Sequence, residues 1–179
     1  SIVAQTTLAH DVSYNGIGLH AANEVHMVLR PAPAEQHRLY PDGLARKTAV
    51  QAHLTNVTNT MRATTLEKGE AKVFTVEHLL SALSGMEVDN CFVEMDLSNA
   101  VADGSSLTFV KLIKEAGIRD LEAPRRPLVV QRQHLVQEDD KFIAIVHDGF
   151  RITFTSINPH PLLGVQFLDT TITQESYVR

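Results

Sequence analysis

Apolar and polar residues alternate through the first third of the chain, the period of a strand with one buried face. Val25, Met27 and Leu29 alternate with His26 and Arg30. Gln5 to Leu8 and Asp11 to Tyr14 have a similar character. The strand through Leu29 is stopped by Pro31-Ala32-Pro33, where the prolines supply no ladder donor. Between them Tyr14 to Glu24 reads as a tight loop, marked by Asn15-Gly16 and Gly16-Ile17-Gly18. Further strands are expected over Asn59 to Leu66 and Ala71 to Phe74, with a hairpin turn at Glu67 to Glu70. The period then changes. Val76, Leu79, Leu80 and Leu83 fall on one stripe of a helix, with Thr75 as its expected N-cap and Gly85 as its C′ residue. A strand over Asn90 to Asp96 follows. A second helix begins at Ser105 or Ser106 and ends near Gly117, with Phe109, Val110, Leu112 and Ile113 as its apolar face.

Leu121 to Pro127 has two prolines, three charges and no period, and reads as a linker. Beyond it, Leu128 to Val136, Lys141 to His147 and Arg151 to Ile157 read as a meander of three strands, the last running into Pro159-His160-Pro161. Strands ending in Pro-x-Pro thus occur in both segments, as though the second restarts the architecture of the first. The expected fold class is α+β: a first domain over 1–120 whose two helices cover one face of a mostly antiparallel sheet, a linker over 121–127, and the beginning of a second, similar domain over 128–179.

Composition narrows the possibilities. In 179 residues, 44% are hydrophobic, enough for a substantial core. The net charge of −5 offers no basic field for nucleic acid. The single cysteine, Cys91, excludes an internal disulfide and lies in an apolar strand. No apolar run approaches the roughly 18 residues of a membrane span, and the start has no secretory leader, so a cytoplasmic location is expected.

Nine histidines invite a search for metal ligands. His78 has Ala82 four residues on, so it has no i+4 ligand partner. His20 and Glu24 have that spacing but lie across a glycine-bent loop. His134 and Glu138 have it on a strand and turn, where it spans roughly 13 Å. Local spacing therefore builds no complete site. The adjacent pair Glu77-His78 has two readings. One is a helix start whose carboxylate favours the dipole. The other is a metal-ligating imidazole beside a carboxylate that takes a proton from water. Gly16-Ile17-Gly18-Leu19-His20 offers a second imidazole, or only an exposed loop histidine. Asp103 to Ser106 suits a phosphate-cradling helix start, or only a turn and cap.

Several blocks occur together in one order: GIGLH from Gly16, LRPAP from Leu29, NTMRATTL from Asn59, TVEHLLSALSGMEVDN from Thr75 and ADGSSLTFV from Ala102. In this the chain resembles the LpxC family, the zinc-dependent UDP-3-O-acyl-N-acetylglucosamine deacetylases of lipid A (lipopolysaccharide) synthesis. The resemblance implies two similar α+β domains with the active site between them. It implies His78 as a zinc ligand, Glu77 as general base on the attacking water, His20 near the substrate, and Met61 by the acyl-chain passage. The substrate implied is UDP-3-O-acyl-N-acetylglucosamine, which loses acetate.

The family's other two zinc ligands, a His and an Asp in an H-x-x-x-D helix, come from late in its second domain, and no counterpart occurs here. Its lysine beside that histidine, an oxyanion threonine and a late histidine acid are missing as well. Asn158 to Pro161 resembles an Asn-His-Pro of the family with Pro159 added. The chain is thus expected to be an N-terminal fragment, inactive without the rest of its second domain. The rival readings are an RNA- or protein-binding α+β module, which the charge disfavours, and a non-catalytic homologue.

Overall fold

The computed structural model of the chain describes residues 2–17, 24–35, 37–40, 49–61, 63–69, 71–73, 75–95, 106–146 and 149–179. It is an α+β structure in two compact units, residues 1–125 and 126–179.

In the first unit, β2 (Val12–Ile17) and β3 (Glu24–Pro31) pair antiparallel, and β3 pairs antiparallel with β9 (Cys91–Met95). Beyond β9 lies β4 (His37–Tyr40), parallel to it, and then β5 (Val50–Gln51). Among the described residues these five strands form one sheet in the order β2-β3-β9-β4-β5. The alternation in β3 sets its faces. Val25, Met27 and Leu29 are buried, and the register brings Met27 opposite Met95, Leu29 opposite Val93 and Pro31 opposite Cys91. Two helices complete the core: α1 (Glu77–Gly85) buries Leu79, Ala82 and Leu83, and α2 (Leu107–Ala116) buries Phe109, Val110, Leu112 and Ile113. They pack on each other, and α2 packs on β2. Full burial of each large apolar side chain contributes about 1.5–3 kcal/mol. On the sheet's other face Arg30 Nε lies 3.1 Å from Glu94 Oε2 and its guanidinium also bonds Asp11, so Glu94, 7% exposed, is buried with its charge paired.

A smaller sheet of β6 (Val57–Asn59), β7 (Thr65–Lys68) and β8 (Ala71–Val73) precedes α1. Its β7–β8 turn is the expected hairpin, with Gly69 at φ +61. The strand expected over Asn59 to Leu66 is instead interrupted. β6 ends at Asn59, whose Oδ1 accepts the Met61 N–H at 2.8 Å, a side-chain turn that diverts the chain before β7.

Two stretches expected to be irregular are strand. β2 continues through Asn15-Gly16 to Ile17. Gly16 serves close packing there, since a Cβ would meet the Tyr14 ring at 2.5 Å. The expected linker is strand as far as Pro124: β10 (Ile118–Pro124) pairs antiparallel with β1 (Ala4–Leu8). Leu121 and Ala123 are half-buried in alternation, and proline is tolerated at the end of a strand with a single partner.

β1 joins the main sheet through polar groups. Its Thr7 makes a parallel bridge with Asn90, and the buried Thr7 Oγ1 donates to Asn90 O at 2.7 Å and accepts the Ala32 N–H at 2.9 Å. Asn90 Nδ2 donates to Gln5 Oε1 at 3.0 Å. Asp89 Oδ2 accepts the Thr6 N–H at 2.8 Å and Arg125 Nη2–H at 2.9 Å.

In the second unit the expected meander is replaced by two hairpins, β11 (His134–Glu138) with β12 (Lys141–Ile145), and β13 (Arg151–Ile157) with β14 (Val165–Thr171). The strand expected from Leu128 begins only at His134, and β14 was not expected from the sequence. A five-residue helix, α3 (Gln174–Val178), is capped by Thr173 and Ser176. None of this unit's described residues is buried. No helix among the described residues is long and apolar enough to cross a membrane.

Two expectations about stability follow from these contacts. Thr7→Val removes the hydroxyl but keeps the shape, taking the acceptor from the buried Ala32 N–H, so it lowers the unfolding free energy by about 1–3 kcal/mol in urea titration. Cys91 is fully buried, and burial pushes its thiol up to about 12, offset in part by a backbone hydrogen bond from Arg30. The thiolate is scarce at pH 8, so a disulfide reagent labels Cys91 only as the first unit unfolds.

Candidate active site

α1 starts where a left-handed turn meets a strand entry. Thr75, the expected N-cap, has φ +56 and lies outside the helix; the cap is Val76, which makes no side-chain cap bond. An N-cap threonine needs extended backbone to reach over the first turn, and the left-handed backbone at Thr75 precludes that. Gly85 is the last helical residue and Met86 the C-cap, so the C′ assignment of Gly85 is also corrected. The helix closes its first turn through Leu80 N–H to Val76 O at 3.0 Å.

Glu77 is the first helical residue and is half-buried. Its Oε2 accepts the Thr64 N–H at 3.0 Å, while Val76 N–H donates to Thr64 O at 3.3 Å. The helix start and the entry to β7 therefore hold each other through two hydrogen bonds. A carboxylate acceptor makes the first of these charge-assisted, and the positive end of the helix dipole favours the same charge. Oε1 makes no hydrogen bond among the described residues. His78, also half-buried, is rotated about 100° around the helix from Glu77, and its imidazole has no hydrogen bond among the described residues. An acceptor oxygen and an imidazole thus stand side by side on a rigid first turn, a pair able to move a proton and to donate a nitrogen to a metal.

Met61 is 84% exposed, three residues before Thr64 in the loop that the Glu77 carboxylate fastens. His20 lies outside the described residues, as do Gly18 and Leu19 of its loop and Asp103 to Ser105. Of the Asp103 to Ser106 segment, Ser106 is described; it precedes α2 and makes no side-chain cap bond. Among the described residues no group of three or more His, Cys, Asp or Glu is placed to hold a metal. His78 fits one ligand position, whereas a catalytic zinc takes three protein ligands. Sequence reasoning missed Thr64, which acts through its backbone amide, and the left-handed backbone of Thr75. Neither has a signature in residue type; the only available signal was that Thr75 lies two residues before Glu77.

The family model for LpxC, UDP-3-O-acyl N-acetylglycosamine deacetylase, matches residues 5–179. The chain is 36% identical over 174 residues to the UDP-3-O-acyl-N-acetylglucosamine deacetylase of Hahella chejuensis, covering 96% of this chain and 58% of that protein. It is 37% identical over 183 residues to the protein of the same name from Thioalkalivibrio sulfidiphilus, covering 99% and 60%. Against the one from Methylococcus capsulatus it is 35% identical over 184 residues, covering 97% and 60%. The chain therefore spans between 58% and 60% of the length of these curated relatives.

Proposed function

Because the chain belongs to the LpxC family of UDP-3-O-acyl-N-acetylglucosamine deacetylases, we propose that it is part of an enzyme that hydrolyses the N-acetyl group of UDP-3-O-acyl-N-acetylglucosamine in lipid A biosynthesis. Water attacks the acetamide carbonyl carbon, the C–N bond breaks, acetate leaves and the sugar amine takes up a proton. The observation that carries this reading is the Glu77 carboxylate, held by one oxygen at a helix start beside His78.

Glu77 is the general base. With Oε2 bonded to Thr64, Oε1 accepts the proton of the attacking water, a role typically worth 10²–10⁴-fold in rate. His78 supplies one nitrogen ligand to zinc, and the other ligands come from outside the described residues. When bound, the zinc supplies Lewis-acid activation of water and carbonyl. Met61 offers an exposed apolar side chain to the acyl chain, and His20 contacts the substrate. Among the described residues His78 is one zinc ligand and one does not make a catalytic centre, so the 179-residue chain alone lacks activity. The buried free thiol of Cys91 accords with a reducing, cytoplasmic location.

The test uses the complete gene product containing this sequence. Glu77→Gln keeps the shape and removes the base, so kcat for acetate release falls by about 10²–10⁴-fold while zinc content is unchanged. His78→Ala loses zinc. A Glu77→Gln enzyme with undiminished turnover would sink the assignment.

A further inference from the structure

Two residues before α1 a β-branched residue stands in the left-handed region. Thr75 has φ +56 and is only 6% exposed. Such a backbone costs on the order of 1–3 kcal/mol and persists where the surroundings impose it. Glycine or asparagine would adopt it more readily. An ordinary helix start would put an extended threonine here and gain a cap bond. This chain instead turns sharply, so that Val76 is already helical and its N–H reaches Thr64 O rather than a cap oxygen. The same turn brings Glu77 Oε2 to the Thr64 N–H.

We propose that Thr75 and the backbone amide of Thr64 are positioning groups for Glu77. The left-handed turn aims the side chain, and the amide holds one carboxylate oxygen, so that only Oε1 is presented for proton transfer. This role rests on the reading of Glu77 as the base. A carboxylate free to rotate presents either oxygen in a range of orientations. One fixed by a charge-assisted bond to backbone presents a single oxygen in one direction, and small misplacements of a reacting group cost large factors in rate. The amide belongs to the β6–β7 loop, which also carries Met61, so one contact sets the base relative to that exposed apolar side chain.

A clasp that served folding alone would behave differently. Thr75→Gly would then relieve strain and leave turnover untouched. The test compares Thr75→Gly, Thr75→Asn and a replacement of the Thr64 amide by an ester, each in the complete gene product. The readouts are kcat, KM, zinc content, melting temperature and hydrogen exchange of the Thr64 amide where it is present. In Thr75→Gly the Thr64 amide exchanges at least about tenfold faster and kcat falls about ten- to hundredfold. KM and zinc content are unchanged and the melting temperature is not lowered. Thr75→Asn, which tolerates the left-handed backbone without the wide φ and ψ freedom of glycine, recovers most of both losses. The ester, which deletes only the N–H, lowers kcat to a similar extent.

Wild-type kcat in Thr75→Gly or in the ester variant, with Glu77→Gln inactive, overturns the positioning role and leaves the base assignment standing. Turnover that survives Glu77→Gln overturns both. If Thr75→Gly does not fold, the ester variant alone decides between these outcomes.

Discussion

Three consecutive polar residues in a buried strand, Gln5, Thr6 and Thr7, set the constraint on which the first unit depends. Buried polar groups are costly unless bonded, and here each is bonded to the segment Glu87 to Asn90. Thr7 bridges Ala32, after β3, to Asn90, before β9. Gln5 accepts from Asn90 and donates to Pro124 O at the end of β10. Thr6 Oγ1 donates to Glu87 O, and Asp89 ties Thr6 to Arg125. Glu87 to Asn90 is the exit of α1, so the helix is fastened at its C-terminal end by a polar knot. At its N-terminal end it is fastened by Thr64. Between the two, Leu79 and Leu83 hold it in the core. The rigidity of the Glu77-His78 turn thus has three separate sources, none of which involves the pair's own chemistry except the Glu77 carboxylate.

The second unit is built differently. Its hairpins place apolar residues on both faces. On β13–β14, Ile152, Phe154 and Leu168 share one face, while Ile157, Val165 and Phe167 lie on the other. The polar end of the latter face carries Arg151 Nε donating to Asp169 Oδ1 at 2.7 Å. A two-stranded ribbon in water is marginal at best, and here ladder bonds and the exposed Arg151–Asp169 ion pair stand in place of a buried core. The apolar pattern of the chain is therefore converted into burial in the first unit and left as exposed surface in the second.

Much of the first unit was legible because burial and period coincide there. Val76, Leu79 and Leu83 lie on one helical stripe and are buried in the structure, and Gly117 at φ +73 ends α2 as a glycine after an apolar helix should. The errors fall where one residue type serves two purposes. Glycine marks turns, yet Gly16 sits in a strand to admit the Tyr14 ring. Proline marks loops, yet Pro124 ends β10 opposite Ala4. Threonine marks N-caps, yet Thr75 makes the left-handed bend. Strand partners were less legible still. β12 pairs back on β11 as a meander requires, but β13 pairs with the unexpected β14, because pairing depends on contacts that alternation does not encode. At the candidate site the pair Glu77-His78 was visible as residue types. What makes it a site, an oxygen fixed by an amide thirteen residues earlier, was not.

Three other histidines have local duties. His53 Nδ1 accepts the Thr55 N–H at 3.2 Å, and His160 Nδ1 accepts the Leu162 N–H at 3.2 Å, each closing a turn. His26 Nδ1 bonds the Asn15 side chain across β2 and β3. His78 differs in having no such employment among the described residues, although it sits half-buried on a helix whose neighbours fill the core. A half-buried imidazole without a partner forgoes hydrogen bonds that its exposed counterparts make. A sequence that places one there, beside a strained turn and a tethered carboxylate, accepts two local losses at one point. The core and the polar knot supply the stability that makes both tolerable, at the start of a helix fastened at both ends rather than on a loop.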